Sequence, residues 1–292
     1  MIYVERFILP SLRAENNFIS TEDRTCFHTF YPFNVFPFKF LEEIEFDGIT
    51  MFYGGNGSGK STLINVMARK MHAIRFSEFN GAPLFDRYVE MCEIEYYRYA
   101  KRAYVLTSDD VFDYALNARV VNEGIDEQRN TLFKRYTDLR RQAADDPEMG
   151  RLKNLTDYER WKEIQDILSP KRSQSSYVRE RVTRDIDLRS NGETAMRYFT
   201  DRIDSDAVYF LDEPENSLSI ELQIQLAEYI AATARATNSQ FIIATHSPIF
   251  LAMKDAKIYN LDSSPAGECH WTELPNVRRY FDFFMEHREE FE

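Results

Sequence analysis

Residues 48–62, GITMFYGGNGSGKST, decide how this chain folds. The apolar run from Ile49 to Tyr53 reads as a buried strand, the glycines after it as a loop, and STLINVMARKMHAI from Ser61 as a helix. In that order they satisfy G-x-x-x-x-G-K-[ST] from Gly54 to Ser61. Successive amides of such a loop, with the N-terminus of the following helix, converge on one spot and cradle the phosphates of a nucleotide. Gly54, Gly55, Asn56, Gly57, Ser58 and Gly59 form the loop. Lys60 reaches toward the β- and γ-phosphates, Ser61 offers its hydroxyl to Mg²⁺, and Thr62 lies one residue further into the helix. Only 10 glycines occur in 292 residues, and four of them fall within these six positions. Scarce glycine gathered in one place marks a backbone that must turn sharply and approach a ligand closely.

Two further apolar strands end in chemistry. AVYFLDEPENSLS (207–219) delivers Asp212 and Glu213 to the carboxyl edge of a sheet, where ligands of α/β folds gather. Asp212 is placed to hold Mg²⁺, and Glu213 to polarise a water that attacks the γ-phosphate. FIIATHSP (241–248) ends at His246, which can hydrogen-bond or sense the γ-phosphate.

Around these motifs, strands are expected at 2–9 and within 36–53, strand-like or mixed structure from about 84 to 106 ending in AYVLT, and further strands near 257–261 and 268–273. Helices are expected over 128–168 with a break at Asp145-Asp146-Pro147, near 193–203, near 217–236 and from about 276, with a loop at 169–176. Short apolar strands alternating with helices imply a mainly parallel sheet covered on both faces.

The phosphate loop, the Asp-Glu strand and the histidine strand, in this order, resemble an ATP-binding-cassette (ABC) ATPase. The DEPE of Asp212–Glu215 and the THSP of Thr245–Pro248 resemble the soluble branch related to SMC and RecF proteins, among the AAA family ATPases, and small ATPases of bacteria. The resemblance implies an α/β P-loop NTPase fold of the ABC ATPase type, with a mainly parallel central sheet, an antiparallel β subdomain and a helical lobe. It also implies a signature loop before the Asp-Glu strand. Arg189-Ser190-Asn191-Gly192-Glu193 occupies that place: Ser190 and Gly192 keep the two positions that would meet the γ-phosphate across a dimer interface, Arg189, Asn191 and Glu193 depart from the commonest residues, and Glu193 is counted with the nucleotide-binding residues. The glutamine expected between the lobes is absent from LTSDDVF (106–112), where Ser108 or Asp109 is left to contact Mg²⁺ or water. Ser219 stands where transporters carry an aspartate. Adenine would stack on Tyr31, Phe33 or Phe36 of the aromatic loop TFYPFNVFPF.

Composition bounds the partners. The net charge of −12 argues against coating nucleic acid or an anionic membrane through bulk charge. Residues 128–190 nonetheless hold 15 basic against 11 acidic residues, a local +4, which is either a solvated helical face or a contact for a partner or for phosphates, DNA included. Cys26, Cys92 and Cys269 are far apart and suit a reducing cytosol. No apolar run reaches the ~18 residues that span a bilayer. The expected organisation is an ATP-binding core of 1–112 with 191–292, and a helical lobe of 113–190 leading to the signature loop. The expected protein is a cytoplasmic, Mg²⁺-dependent ATPase that forms a homodimer around ATP and switches a protein partner in DNA repair, maintenance or antiphage defence. The alternatives are an ATP-gated scaffold that holds or releases an effector such as a nuclease or toxin and, third, a transporter subunit.

Overall fold

The computed structural model describes residues 2–23, 29–77, 82–146, 158–170, 172–183 and 191–292. In chain order the elements are β1 (Val4–Ile8), α1 (Leu12–Thr21), β2 (Glu43–Glu45), β3 (Ile49–Tyr53), α2 (Lys60–Lys70), α3 (Phe85–Met91), β4 (Glu93–Tyr96) and β5 (Arg102–Thr107). Then come α4 (Ser108–Asp145), α5 (Tyr158–Leu168), α6 (Gln174–Arg179), α7 (Asn191–Arg202), β6 (Ala207–Asp212), α8 (Ile220–Ala236) and β7 (Gln240–Ala244). The chain closes with α9 (Pro248–Leu251), β8 (Lys257–Asn260), β9 (Gly267–Glu268) and α10 (Pro275–Glu286). Two compact units result: Met1–Asp113 with Arg189–Glu292, and Tyr114–Leu188.

In the first unit a six-stranded sheet has the order β5-β6-β7-β3-β8-β9. Its first five strands are parallel and only β9 runs antiparallel. Every residue of β3 and β7 is buried, which explains why these strands read as continuous apolar runs rather than as alternating ones. Register sets Thr107 beside Asp212 and Asp212 beside Ala244, so the segments leaving β3, β5, β6 and β7 emerge at one carboxyl edge. A second, antiparallel sheet, β2-β1-β4, packs into the same apolar core through Val4, Phe7 and Ile44. Gln240, fully buried at the start of β7, accepts from the amides of Tyr3 and Val4 and donates to the carbonyls of Val4 and Asp47. One side chain thus stitches the two sheets together with all its polar capacity used.

The second unit has its own small core of Tyr136, Ile167, Tyr177 and Val178. Several of its described cations are engaged locally. Arg135 pairs with Glu163 at 2.6 Å, Arg172 with Asp166 at 3.2 Å and with Glu180, and Arg181 with Asp166 at 3.1 Å while stacking 3.9 Å over Tyr177.

Several boundaries differ from expectation. The long helix begins at Ser108, because Thr107 and Asp110 cap it reciprocally: the Thr107 amide donates to Asp110 Oδ2 (2.8 Å) and the Asp110 amide to Thr107 Oγ1 (3.1 Å). The segment 169–176 already enters α6 at Gln174, capped by Ser173. The expected strand at 268–273 shrinks to two residues followed by a 3₁₀ turn, Trp271–Glu273. The helix expected near 217 starts at Ile220, because Pro214–Ser217 forms a separate 3₁₀ turn and Ser219 caps α8.

Candidate functional site

The phosphate loop is built as its sequence demands. Gly57 and Gly59 have φ of 78° and 96°, a region that side chains with a Cβ rarely enter. A Cβ on Gly54 would sit 2.5 Å from Ser58 Oγ. The loop entry is pinned from outside, since Asp262, beyond β8, accepts from the Gly55 amide at 2.7 Å. Lys60, the first residue of α2, is 4% exposed and turned back into the loop, donating to the carbonyls of Gly54 (2.7 Å) and Gly55 (3.2 Å). Its ammonium also lies 3.5 Å from Glu213 Oε1. Asn56 and Gly57 form the exposed lip.

Across the sheet edge, Ser61 Oγ donates to Asp212 Oδ1 at 3.1 Å. Burial pushes the Asp212 carboxyl up to about 6, reinforced by Glu213 and Glu215 and opposed by Ser61 and Lys60. Glu213 takes the left-handed conformation (φ 48°, ψ 53°), an uncommon one for a residue with a side chain. Two contacts hold it there: its amide donates to Ala244 O (2.9 Å), and Asn216 Nδ2 donates to its Oε2 (2.9 Å). His246 Nδ1 stands 4.0 Å from Glu213 Oε1 and 3.5 Å from Glu215 Oε1. The structure therefore brings Lys60, Ser61, Asp212, Glu213 and His246 to one edge. Beside His246 opens a cavity of about 460 Å³ bordered by Asn276, Arg279, Tyr280 and Phe283 of α10.

Other expected residues fare differently. Ser190 lies outside the described residues. Gly192 sits in the first turn of α7, where a Cβ would come 2.7 Å from Leu222 Cδ1, and Glu193 beside it is exposed. Asp109 is exposed in the first turn of α4, and no hydrogen bond or ion pair joins it to Ser61 or Asp212. Asp110, not named from sequence, is the buried one, and both it and Asp212 act on the half-buried guanidinium of Arg75. Ser219 works as a helix cap. Of the three aromatics, Phe33 and Phe36 are core: Phe33 stacks on Phe18 and meets Tyr88 edge-on, and Phe36 is fully buried. Tyr31 is 37% exposed, and its hydroxyl lies 2.8 Å from Thr62 Oγ1, which ties it to the phosphate-loop helix.

Residues 191–251, from the first turn of α7 to the end of α9, match a family model described as an AAA ATPase domain. Within that stretch lie β6, α8 and β7, and so both the Asp-Glu turn and the histidine loop. No curated protein matches this chain by sequence. Among solved structures it is similar to an Smc head domain with an extended coiled coil, bound to the C-terminal domain of ScpA and derived from Pyrococcus furiosus. That likeness has 13% identity, 99% of this chain, 100% of that chain and a TM-score of 0.40. It is also similar to an SmcHead bound to the C-winged helix domain of ScpA (17%, 78% and 92%, TM-score 0.35). A third is a metal-chelate type ABC transporter in an inward-facing conformation (16%, 80% and 78%, TM-score 0.37). Among the described residues, no helix is long and apolar enough to cross a membrane.

The residue that sequence reading quoted without giving it a role is Glu215. It is 5% exposed, and its Oε1 accepts from Thr245 Oγ1 (2.6 Å) and from the amides of His246 (2.8 Å) and Ser247 (3.2 Å). A buried carboxylate two residues beyond Glu213 thus fixes the histidine loop to the Asp-Glu turn. The only sequence signal was its acidity beside a proline turn. The residues fit a nucleotide with a divalent cation. Ser58 Oγ is buried without a hydrogen-bond partner within the loop, and Asp212 is a carboxylate short of compensating charge. Among the described residues no cluster of three or more His, Cys, Asp or Glu could hold a metal alone. A hydroxyl and one carboxylate sharing the cation with phosphate oxygens and water is the usual pattern for Mg²⁺.

Proposed function

We propose that this protein binds ATP with Mg²⁺ and hydrolyses it, and that residues 1–112 with 191–292 act as its ATP-binding core and 113–190 as a helical lobe. The observation that carries the reading is the convergence of Lys60, Ser61, Asp212 and Glu213 on one edge, with Lys60 buried and Ser61 already bonded to Asp212. The loop amides of residues 55 to 61 and Thr62 at the head of α2 cradle the phosphates. Lys60 exchanges its contacts with the Gly54 and Gly55 carbonyls for phosphate oxygens, which frees Glu213 from its ion pair. Ser61 and Asp212 would hold Mg²⁺, which would supply positive charge against the phosphates. Glu213, held by Asn216, orients and deprotonates the attacking water, while His246 hydrogen-bonds the γ-phosphate.

Two copies closing head to tail around ATP would add Ser190, Gly192 and Glu193 of each to the other's site, so that ATP favours the closed pair and hydrolysis opens it. The output is a switch passed to a partner, in DNA repair, maintenance or antiphage defence. That partner is a protein effector, or DNA met through the basic 128–190 segment, in which Arg135, Arg172 and Arg181 are engaged in ion pairs.

The test is Glu213→Gln. ATP affinity stays within about threefold, while turnover falls by roughly 10²-fold or more, the usual contribution of a general base. Light scattering then detects a longer-lived ATP dimer. A variant that hydrolyses at the normal rate removes Glu213 as the base.

A further inference from the structure

The least explained surface lies on α10. Tyr280, Phe281, Phe283, Phe284, Met285 and Phe291, within and just beyond it, are between 50% and 74% exposed. Near its start the helix is anchored to its own unit, and Arg279, Tyr280 and Phe283 border the open cavity beside His246. Leu274 and Val277 are buried, and the Asn276 amide donates to the Tyr53 hydroxyl. Exposed apolar surface gathered at this density marks an interaction site.

We infer that α10 is the contact of a homodimer in which two copies of the helix pack antiparallel, with or without nucleotide. Spacing defines the seam. Tyr280, Phe283 and His287 recur at intervals of three and four, the pattern of a helix pair, with Phe284 alongside and Phe291 continuing it. Phe283 already stacks on His287 (ring centroids 4.4 Å apart) and meets Phe284 (5.6 Å), so the ridge is preformed.

Charge selects the occupant and its direction. Arg279 and Glu286 stand seven residues apart, about two helical turns, and so border the same edge of the seam. In an antiparallel pair that edge meets its own counterpart, so Arg279 faces the partner's Glu286 and the partner's Arg279 faces Glu286. A two-fold contact requires this reciprocity. In a parallel pair the same edge would face the one that carries Val277 and Phe284, leaving both charges unmatched.

This contact does not rest on the ATP-dependent closure proposed above, and the two fail separately. Sedimentation velocity of the full chain, without nucleotide and with EDTA, is expected to show a dimer at micromolar concentration. Arg279→Glu alone and Glu286→Arg alone should each weaken it by roughly tenfold or more, since symmetry turns two attractive pairs into two repulsive ones. The double variant, Arg279→Glu with Glu286→Arg, should return to within about threefold of the wild type. Both positions are exposed, so far-UV circular dichroism of all three variants should match the wild type. A monomeric wild type overturns the inference and leaves α10 to a different protein or a membrane surface. A dimer whose double variant is no stronger than either single variant overturns the antiparallel pairing.

Discussion

Replacing Glu215 with alanine tests whether one buried carboxylate holds the histidine loop in place. The substitution removes the acceptor of three donors: Thr245 Oγ1, the His246 amide and the Ser247 amide. Ser247 keeps a second acceptor in Thr245 Oγ1 at 3.0 Å, so two donors are left without one. Each buried orphan costs ~1–3 kcal/mol, giving ~2–6 kcal/mol in all. Part is offset, because the carboxylate's own Oε2 is buried without a partner and leaves with it. The net loss is about 3 kcal/mol, which lowers the melting temperature by roughly 6–12 °C for a chain of this size. Glu215→Gln keeps an oxygen for the same donors and should cost about half as much or less. Differential scanning calorimetry reads the stability, and ATP turnover reads the loop. With His246 loosened, kcat should fall ~10²-fold while ATP affinity stays within about threefold, since misplacement of about 1 Å at a reacting centre has that effect. An alanine variant that melts with the wild type and turns over normally would refute the tethering role.

Tyr31→Ala should weaken ATP binding by roughly tenfold without unfolding the protein, whereas Phe33→Ala should cost ~3–5 kcal/mol of stability, as read by nucleotide titration and urea denaturation. The reverse outcome would return Phe33 to the adenine site. Glu15, fully buried beneath the aromatic loop and accepting from the Asn34 amide, has its carboxyl raised by burial above the usual range. A carboxyl whose pKa is higher folded than unfolded stabilises the fold below its unfolded pKa and loses that contribution as pH rises through the folded one. Glu15→Gln should therefore be more stable than the wild type at pH 8 and should flatten the decline between pH 4 and pH 8; urea midpoints that move in parallel for both proteins would contradict this.

Much of the site was legible because its chemistry is local. The phosphate loop needs glycine at fixed spacing, and Gly57 and Gly59 do adopt positive φ. Asp212 and His246 were legible because each ends, or closely follows, an apolar strand too short to be a helix. Which of the two aspartates is buried follows from an equally local feature: the reciprocal Thr107–Asp110 cap starts α4, and Asp110 is buried while Asp109 is exposed. The choice among three aromatics could not be made from sequence, since Tyr31, Phe33 and Phe36 share a loop and differ only in what packs on them.

By itself the sequence determined the parallel sheet, the phosphate loop and the residues that end its strands. Burial on both faces demands apolar runs, and a sharp turn against phosphate demands glycine; both leave local signatures. Only the tertiary structure decided that Glu215 ties the histidine loop to the Asp-Glu turn, that Gln240 joins the two sheets and that Lys60 rests on Glu213. Those contacts join residues 31, 236 and 153 positions apart. A hydrogen bond or ion pair between such partners depends on distance and burial in space, and polar side chains carry no periodicity that announces either.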